Sequence, residues 1–246
     1  MREKEISVFE VLGPVMVGPS SSHTAGACRL GLWASQLADG DVVKCTFTLY
    51  GSFAHTYRGH GTDRALVGGM LGMSEDDPQL RTSFERAQEV GLSYEFKIDT
   101  VTEKPHPNMV RFAMENSEGF ITEVEGKSIG GAAAVITEID GIEVEFTGVY
   151  NTLIVNQIDK PGVLAWITRC LTEANVNIAF LKLFREDRGQ RAFTIVETDE
   201  DIAADVVRRV TENSHVESAR LLETLQSAAR RKERKADDAE GGTLNA

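Results

Sequence analysis

The chain has 246 residues, of which 41 % are hydrophobic and 26 % are charged, enough apolar material for one large domain or two small ones. Its 38 acidic residues exceed its 26 basic residues, and the resulting net charge of -12 argues against nucleic acid as a partner. The sequence has no run of roughly 20 apolar residues that could cross a membrane and no apolar run of a signal peptide near Met1. We therefore expect a cytoplasmic protein without membrane contact.

The positions of the three cysteines argue against disulfide bonds and against an iron–sulfur ligand motif in this sequence. Cys28, Cys45 and Cys170 lie far apart in the sequence, a pattern that fits a reducing compartment and no disulfide framework. Their spacing also differs from that of iron–sulfur ligand motifs. If the protein works with such a cluster, the cluster ligands have to come mainly from elsewhere.

Residues 1–148 predict a mixed α+β domain. Thr24 can cap a helix that runs to about Ala38, and residues 43–49 alternate between apolar and polar as a strand does. Further helices are predicted to begin at Thr62 and after Asp77-Pro78, the second ending at Gly91. The other predicted strands cover residues 92–98, 110–114, 120–124, 133–139 and 142–146. Because the helices come early and the strands late, the pattern favours an α+β fold.

The predicted secondary-structure elements of residues 149–225 follow the order β-α-β-β-α-β, which is the order of ferredoxin-like domains. The predicted strands are 152–157, 178–184, 191–197 and 216–222, with a hairpin turn at 187–189. Residues 226–246 form a polar tail with too few apolar side chains to offset the entropy of ordering, so we expect disorder there. A fraying helical extension is the alternative.

The segment from Gly18 to Gly26 places hydroxyl groups, an imidazole and free backbone N–H groups at the start of a helix. Such a place suits an anion, including a carboxylate. Simple helix capping is the alternative, and the spacing alone favours it. The candidate binding residues in this segment are Ser20, Ser21, Ser22, His23 and Thr24.

Two further loops each carry a histidine. His60 lies between Gly59 and Gly61, where an uncrowded imidazole could act as a general base. His106 lies between two prolines that hold its loop rigid. The alternatives are an ordinary loop before a helix and a surface turn.

The three histidine loops could converge on one pocket. They could equally ligate a metal, but no closely spaced pair holds two ligands on one element, so we predict substrate binding and no metal ligand. Gly130-Gly131 could bring backbone near a ligand or form a turn. In the second region, Gly162 could admit a small ligand at a helix start, although Pro161-Gly162 is also ordinary turn chemistry.

Several motifs in the right order resemble the beta chain of iron–sulfur-dependent L-serine dehydratases, over roughly residues 6–147. Residues 150–223 resemble an ACT domain, a ligand-sensing module, through Asp159-Lys160-Pro161-Gly162-Val163-Leu164 and Asn175-Val176-Asn177-Ile178. The first resemblance rests on Ser7-Val8-Phe9-Glu10, the run from Gly13 to Gly26, Tyr50-Gly51-Ser52, Gly59-His60-Gly61-Thr62-Asp63 and Ser128-Ile129-Gly130-Gly131.

The resemblance implies a lyase of amino-acid catabolism and gluconeogenesis that eliminates water from L-serine to give pyruvate and ammonia. It implies a [4Fe-4S] cluster held by cysteines of a partner alpha chain, whose open iron acts as the Lewis acid, and also a potassium ion of unknown position. His60 would be the base, with His106 a nearby polar partner and His23 among the catalytic residues. Substrate contacts would come from Ser20, Ser21, Ser22, Thr24 and Gly61.

The ACT resemblance implies an amino-acid effector, serine being the first candidate, bound at an interface between subunits of a hetero-oligomer. The effector residues would be Asp159, Pro161, Gly162 and Val163. A non-catalytic serine sensor is the alternative, because the first domain also resembles the allosteric substrate-binding domain of some phosphoglycerate dehydrogenases. An assembly scaffold without a ligand is a weaker possibility.

Overall fold

The computed structural model describes residues 16–222 and residue 224. The motifs at residues 7–10 and 13–15 and the predicted tail at 226–246 lie outside the described residues. The chain divides between Thr147 and Gly148 into two compact units. In the part of the chain that the structure describes, no helix is both long and apolar enough to cross a membrane.

Helices and strands alternate at the start of the first unit, and strands alone follow. A π-helical turn, Ser21–Ala25, runs directly into the first α-helix. The helices are α1 (Gly26–Leu37), α2 (Gly51–Thr56), α3 (Thr62–Met70), a 3-10 turn (Pro78–Thr82) and α4 (Ser83–Val90). The strands are β1 (Val42–Tyr50), β2 (Ser93–Asp99), β3 (Met109–Asn116), β4 (Ile121–Gly130), β5 (Ala133–Ile139) and β6 (Ile142–Phe146).

The six strands form one sheet in the order β2-β1-β3-β4-β5-β6. Only β1 and β2 are parallel, and the chain between them holds α2, α3 and α4. The other neighbours pair antiparallel. Gly130 is the last residue of β4, and Gly131 and Ala132 form the turn between β4 and β5. The mixed α+β prediction is confirmed.

Helices α1 and α3 pack backbone to backbone, and this contact positions the loops before both helices. A Cβ added at Gly69 would lie 2.0 Å from the Cys28 carbonyl oxygen, and one at Gly31 would lie 2.4 Å from the Leu66 oxygen. Such close approach is possible only where side chains are missing. The apolar stripe predicted for α1 is buried, since Leu30 and Leu37 expose 1 % or less.

The structure corrects two details of the sequence prediction. Thr24 does not cap the first helix, because the Ser20 hydroxyl oxygen accepts from the His23 N–H and Thr24 lies within the π-helical turn. Helix α3 begins at Thr62, as predicted, and its N-cap position is held by Gly61 with φ +68°. Helix α2 was not predicted, since its six residues carry neither an apolar period nor a capping side chain.

The second unit has the predicted β-α-β-β-α-β order. The elements are β7 (Asn151–Ile158), α5 (Val163–Glu173), β8 (Ile178–Arg185), β9 (Arg191–Thr198), α6 (Ala204–Val210) and β10 (Val216–Leu222). The four strands form an antiparallel sheet in the order β10-β7-β9-β8, which confirms the ferredoxin-like prediction. Both helices cover one face and bury an apolar core that includes Leu153, Ile167 and Val196.

Candidate active site

His23 is held by hydroxyl groups at both ring nitrogens. Its Nε2 lies 2.9 Å from the Ser52 Oγ, and its Nδ1 lies 3.0 Å from the Ser22 Oγ and 3.3 Å from the Ser20 Oγ. The edge of the ring also contacts the Phe53 ring at a centroid distance of 5.4 Å. These contacts fix the imidazole in one orientation. Two of the three hydroxyls, those of Ser20 and Ser22, belong to residues predicted to bind substrate.

Ser52 reaches His23 because two chain segments meet at the start of α2. The Ser52 N–H donates to the Pro107 carbonyl oxygen at 2.7 Å. Gly51 has φ +52°, and a Cβ there would lie 2.6 Å from that same oxygen. The loop that carries His106 is therefore bonded to the residue that holds His23.

His60 lies beside His23, with ring centroids 4.8 Å apart. Its backbone is fixed: the N–H donates to the Thr56 oxygen at 3.1 Å, and the carbonyl accepts from the Thr24 hydroxyl at 2.9 Å. Its side chain is not fixed by hydrogen bonds. Among the described residues none reaches the His60 imidazole, whose Nδ1 is shielded from solvent. The two rings thus differ: both nitrogens of His23 are engaged, whereas His60 keeps a lone pair available for a proton.

His106 belongs to the same region but not to the histidine pair. The Asn108 N–H donates to its Nδ1 at 3.2 Å, so the neutral ring carries its proton on Nε2. In that form the outward nitrogen is a donor, which suits a polar partner better than a base. The prediction that the three loops converge agrees with this arrangement, because Pro107 joins the His106 loop to Ser52.

Burial and neighbouring charge keep two of the imidazoles neutral. Burial, and secondarily the charge of the adjacent His60, lower the pKa of His23. Burial, and secondarily the Lys127 ammonium, lower the pKa of His106. Near pH 7 both rings are therefore neutral and act through hydrogen bonds rather than through a positive charge.

For three polar residues of the site, no role was predicted from the sequence. Ser52 and Ser128 belong to motifs that carried the family resemblance, and Asn108 follows the His106 loop. The Ser128 Oγ and the Asn108 Oδ1 are buried and lack a hydrogen-bond partner within residues 16–222. A Cβ at Gly26 would lie 2.0 Å from the Ser128 Oγ, so this strand end packs against the start of α1.

The chain offers no ligand set for an iron–sulfur cluster in its described part. Cys28, Cys45 and Cys170 are buried free thiols on α1, β1 and α5, and burial raises the pKa of each. A cluster needs accessible thiolates brought together. Across residues 16–222, no group of three or more histidine, cysteine or acidic side chains could hold a metal ion.

A separate cavity of about 600 Å³ lies in the second unit, between the β7–α5 loop and the β8–β9 hairpin. Asp159, Pro161 and Gly162 line it, as the sequence predicted for an effector site, whereas the Val163 side chain is buried in the core. Asp159 Oδ2 accepts from Arg185 at 3.0 Å and from the Gly189 N–H at 3.4 Å. The carboxylate therefore ties the hairpin to the loop across one wall of the cavity.

The chain thus consists of a first unit with a mixed α+β fold and a second unit with a ferredoxin-like fold. Residues 7–139 match the family described as serine dehydratase beta chain, and residues 151–214 match the ACT domain. The chain belongs to the serine dehydratase beta chain family, which confirms the resemblance seen in the sequence.

Two relatives are similar over most of their length. The L-serine dehydratase beta chain of Peptoniphilus asaccharolyticus is 40 % identical over 219 residues, covering 87 % of this chain and 99 % of that protein. The probable L-serine dehydratase beta chain of Bacillus subtilis is 38 % identical over 196 residues, covering 80 % and 88 %. A D-3-phosphoglycerate dehydrogenase of Bacillus subtilis is 23 % identical over 137 residues, covering 56 % of this chain and 26 % of that protein.

Proposed function

We propose that this chain is the beta subunit of an L-serine ammonia-lyase, which eliminates water from L-serine to give pyruvate and ammonia. The observation that carries the proposal is the imidazole pair: His60 keeps a free lone pair beside a hydroxyl-bonded His23. An elimination needs a group that removes the α-proton, and a neutral imidazole is suited to that task near neutral pH. Family membership supplies the substrate class.

In this proposal each residue of the site has a separate role. His60 takes the α-proton, and His23 orients the hydroxyls of Ser20, Ser22 and Ser52 around the substrate. Ser21, Thr24 and Gly61 complete the loops that enclose it. His106 donates a hydrogen bond from Nε2.

The proposed partner is an alpha chain that carries a [4Fe-4S] cluster. When bound there, the cluster would supply the Lewis acid for a poor leaving group. Supporting this division, the buried and separated cysteines of this chain do not fit cluster ligation. We assign no residues to the potassium ion that the resemblance implies.

Reconstitution tests the proposal. The purified chain, a candidate alpha chain and the two together are assayed anaerobically for pyruvate formed from L-serine. We expect turnover only in the mixture. A mixture in which the two chains associate and the cluster is intact, but no pyruvate forms, would contradict the proposal.

We further propose that the ACT cavity binds an amino acid, L-serine first, at a contact between subunits. Its support is the lining by Asp159, Pro161 and Gly162, with an open space around the Gly162 Cα where a Cβ would meet nothing within 4 Å. Titration calorimetry of the full chain with L-serine measures this binding, and Gly162→Val should abolish the heat that belongs to this cavity.

A reducing, cytoplasmic location is proposed because all three cysteines are free thiols.

A non-catalytic serine-responsive regulator is the second candidate, favoured by the match to a phosphoglycerate dehydrogenase over 137 residues. Under this alternative the chain binds L-serine but no alpha chain converts it. The reconstitution assay separates the two, since serine binding without turnover in any mixture would select the regulator.

A further inference from the structure

A second cavity in the first unit adjoins His60 and has a strongly basic lining. We call it the arginine cavity, after Arg58, Arg64 and Arg81, which line it together with His60, Thr24 and the Gly18-Pro19 backbone. Its volume is about 320 Å³. None of the described residues that line it is acidic.

The three arginines are not equally neutralised. Arg64 donates to the Arg81 carbonyl oxygen, pairs with Glu85 at 3.5 Å and lies over the Phe84 ring at 4.6 Å. Among the described residues Arg58 forms no ion pair, and its guanidinium carbon lies 5.3 Å from the centre of the Tyr57 ring. For Arg81, no ion pair to a carboxylate forms among residues 16–222.

Asp63 lies next to Arg64 in the sequence, and its carboxylate accepts from the Arg64 backbone N–H at 2.8 Å. Burial raises the pKa of its carboxyl more than the charges of Arg64 and Arg58 lower it. Asp63 is not among the described residues that line the cavity. The cavity therefore keeps a positive field, although the whole chain carries a net charge of -12.

The arrangement also contains an unsatisfied polar atom. The Nδ1 of His60 is buried without a hydrogen-bond partner in the described part of the chain, and a buried polar group left unpaired is costly. Guanidinium groups bind carboxylates and phosphates through paired, charge-assisted hydrogen bonds. An oxyanion would satisfy the arginines and fits the available volume.

The geometry points to a binding site for a small oxyanion, of the carboxylate or phosphate class, in the arginine cavity beside His60. Because His60, Thr24 and Gly61 line this cavity, the inference rests on the proposed function and adds a binding site for an anionic group to the proposed substrate site. Arg58 and Arg81, both exposed, are the side chains free to close on the ligand, while Arg64 forms the fixed wall. Binding here places a negative charge next to the histidine pair.

Titration of the full chain with inorganic phosphate, followed by calorimetry and by NMR of the histidine side chains, tests the site. We expect saturable binding with a dissociation constant on the order of 1 mM, which weakens as sodium chloride is added. The double variant R58Q/R81Q should weaken binding about tenfold or more. Its matched control is R86Q/R169Q, which changes the net charge equally on exposed arginines outside the cavity.

A competition arm identifies the kind of oxyanion. If L-serine displaces phosphate from the wild-type chain but not from R58Q/R81Q, the cavity takes an amino-acid carboxylate; if phosphate stays bound, it takes a phosphate group. The proposal is overturned by absence of saturable phosphate and serine binding in the cavity, or by equal binding in R58Q/R81Q and R86Q/R169Q. Because the readout is binding, these outcomes are independent of whether reconstituted enzyme turns over.

Discussion

The imidazoles of His23 and His60 lie 4.8 Å apart between ring centroids, with their planes inclined by 40°. Each ring belongs to a different glycine-rich segment, and the Thr24 hydroxyl ties the two together through the His60 carbonyl. Burial and, secondarily, the charge of the adjacent His60 lower the pKa of His23. The His23 ring is therefore neutral near pH 7 and acts through its hydrogen bonds to the serine hydroxyls.

Replacing His60 by Gln should lower serine turnover of the reconstituted enzyme by about two to four orders of magnitude, because the accepting lone pair is lost. The fold should persist, since the hydrogen bonds of this residue to its neighbours use its backbone. Initial rates of pyruvate formation measure the effect. His55→Gln, on the exposed side of α2, is the control; equal rates in the two variants would remove His60 from the role.

Replacing Ser52 by Ala should reduce turnover about tenfold, because the His23 Nε2 loses its partner at 2.9 Å and the ring is free to reorient. Ser52 acts here as a positioning residue, so Ser52→Thr, which keeps the hydroxyl, should restore most of the rate. Nitrogen NMR of the His23 ring should show a changed tautomer balance in the Ala variant only. Ser35→Ala removes a hydroxyl bonded to the Leu32 carbonyl on α1 and serves as the control.

The stability of the first unit should fall as the pH drops below about 6.5, the ordinary histidine pKa. His23 and His106 have lowered pKa values in the fold, so below that pH the unfolded chain binds protons that the folded chain does not. Their contribution is fully present above pH 6.5 and is lost as the pH falls through the folded values. Urea unfolding between about pH 5.5 and 7.5 measures this.

The matched variants for that experiment are His23→Gln and His215→Gln. The first should reduce the pH dependence of the unfolding free energy, because one of the two groups with a lowered pKa is gone while His106 remains. The second removes an exposed histidine of the second unit and should leave the slope unchanged. Parallel slopes in all three proteins would contradict the assignment.

Replacing Gly69 by Ala should destabilise the first unit by about 1–3 kcal/mol. Alanine favours helices by roughly 1 kcal/mol over glycine, but here its Cβ would lie 2.0 Å from the backbone oxygen of Cys28, which cannot move without separating α1 from α3. Gly59→Ala, where the nearest atom is 3.7 Å away, is the control and should change the melting temperature little. A neutral Gly69→Ala variant would show that the two helices can separate at small cost.

Replacing Asp159 by Asn should reduce the thermal stabilisation that L-serine gives to the second unit, because the carboxylate that accepts from Arg185 and Gly189 is lost. A ligand that binds only the folded state raises its stability in proportion to the logarithm of ligand concentration over dissociation constant. Melting curves with and without serine provide the measurement. Asp205→Asn, exposed on α6, should respond to serine as the wild type does.

The elements that could be predicted from the sequence are those whose signal comes from near neighbours in the chain. The apolar stripe of α1, the alternation of β1 and the β-α-β-β-α-β order of the second unit were all predicted, because burial imposes a period that a short window contains. The motif around His60 and the hydroxyl run from Ser20 to Thr24 marked the candidate site for the same reason: unusual residue types stand side by side.

The contacts between side chains that are distant in the sequence could be seen only in the folded protein. The bond from Ser52 to His23 spans 29 positions, and the bond from Ser52 to Pro107 joins α2 to a loop that follows β2. Hydrophobic periodicity within a short window does not predict such pairs. They depend on how α1 and α3 pack at their glycines and on where β1 ends. The distinction between an engaged His23 and a free His60 likewise required the packed fold, because hydrogen bonding is a property of neighbours in space.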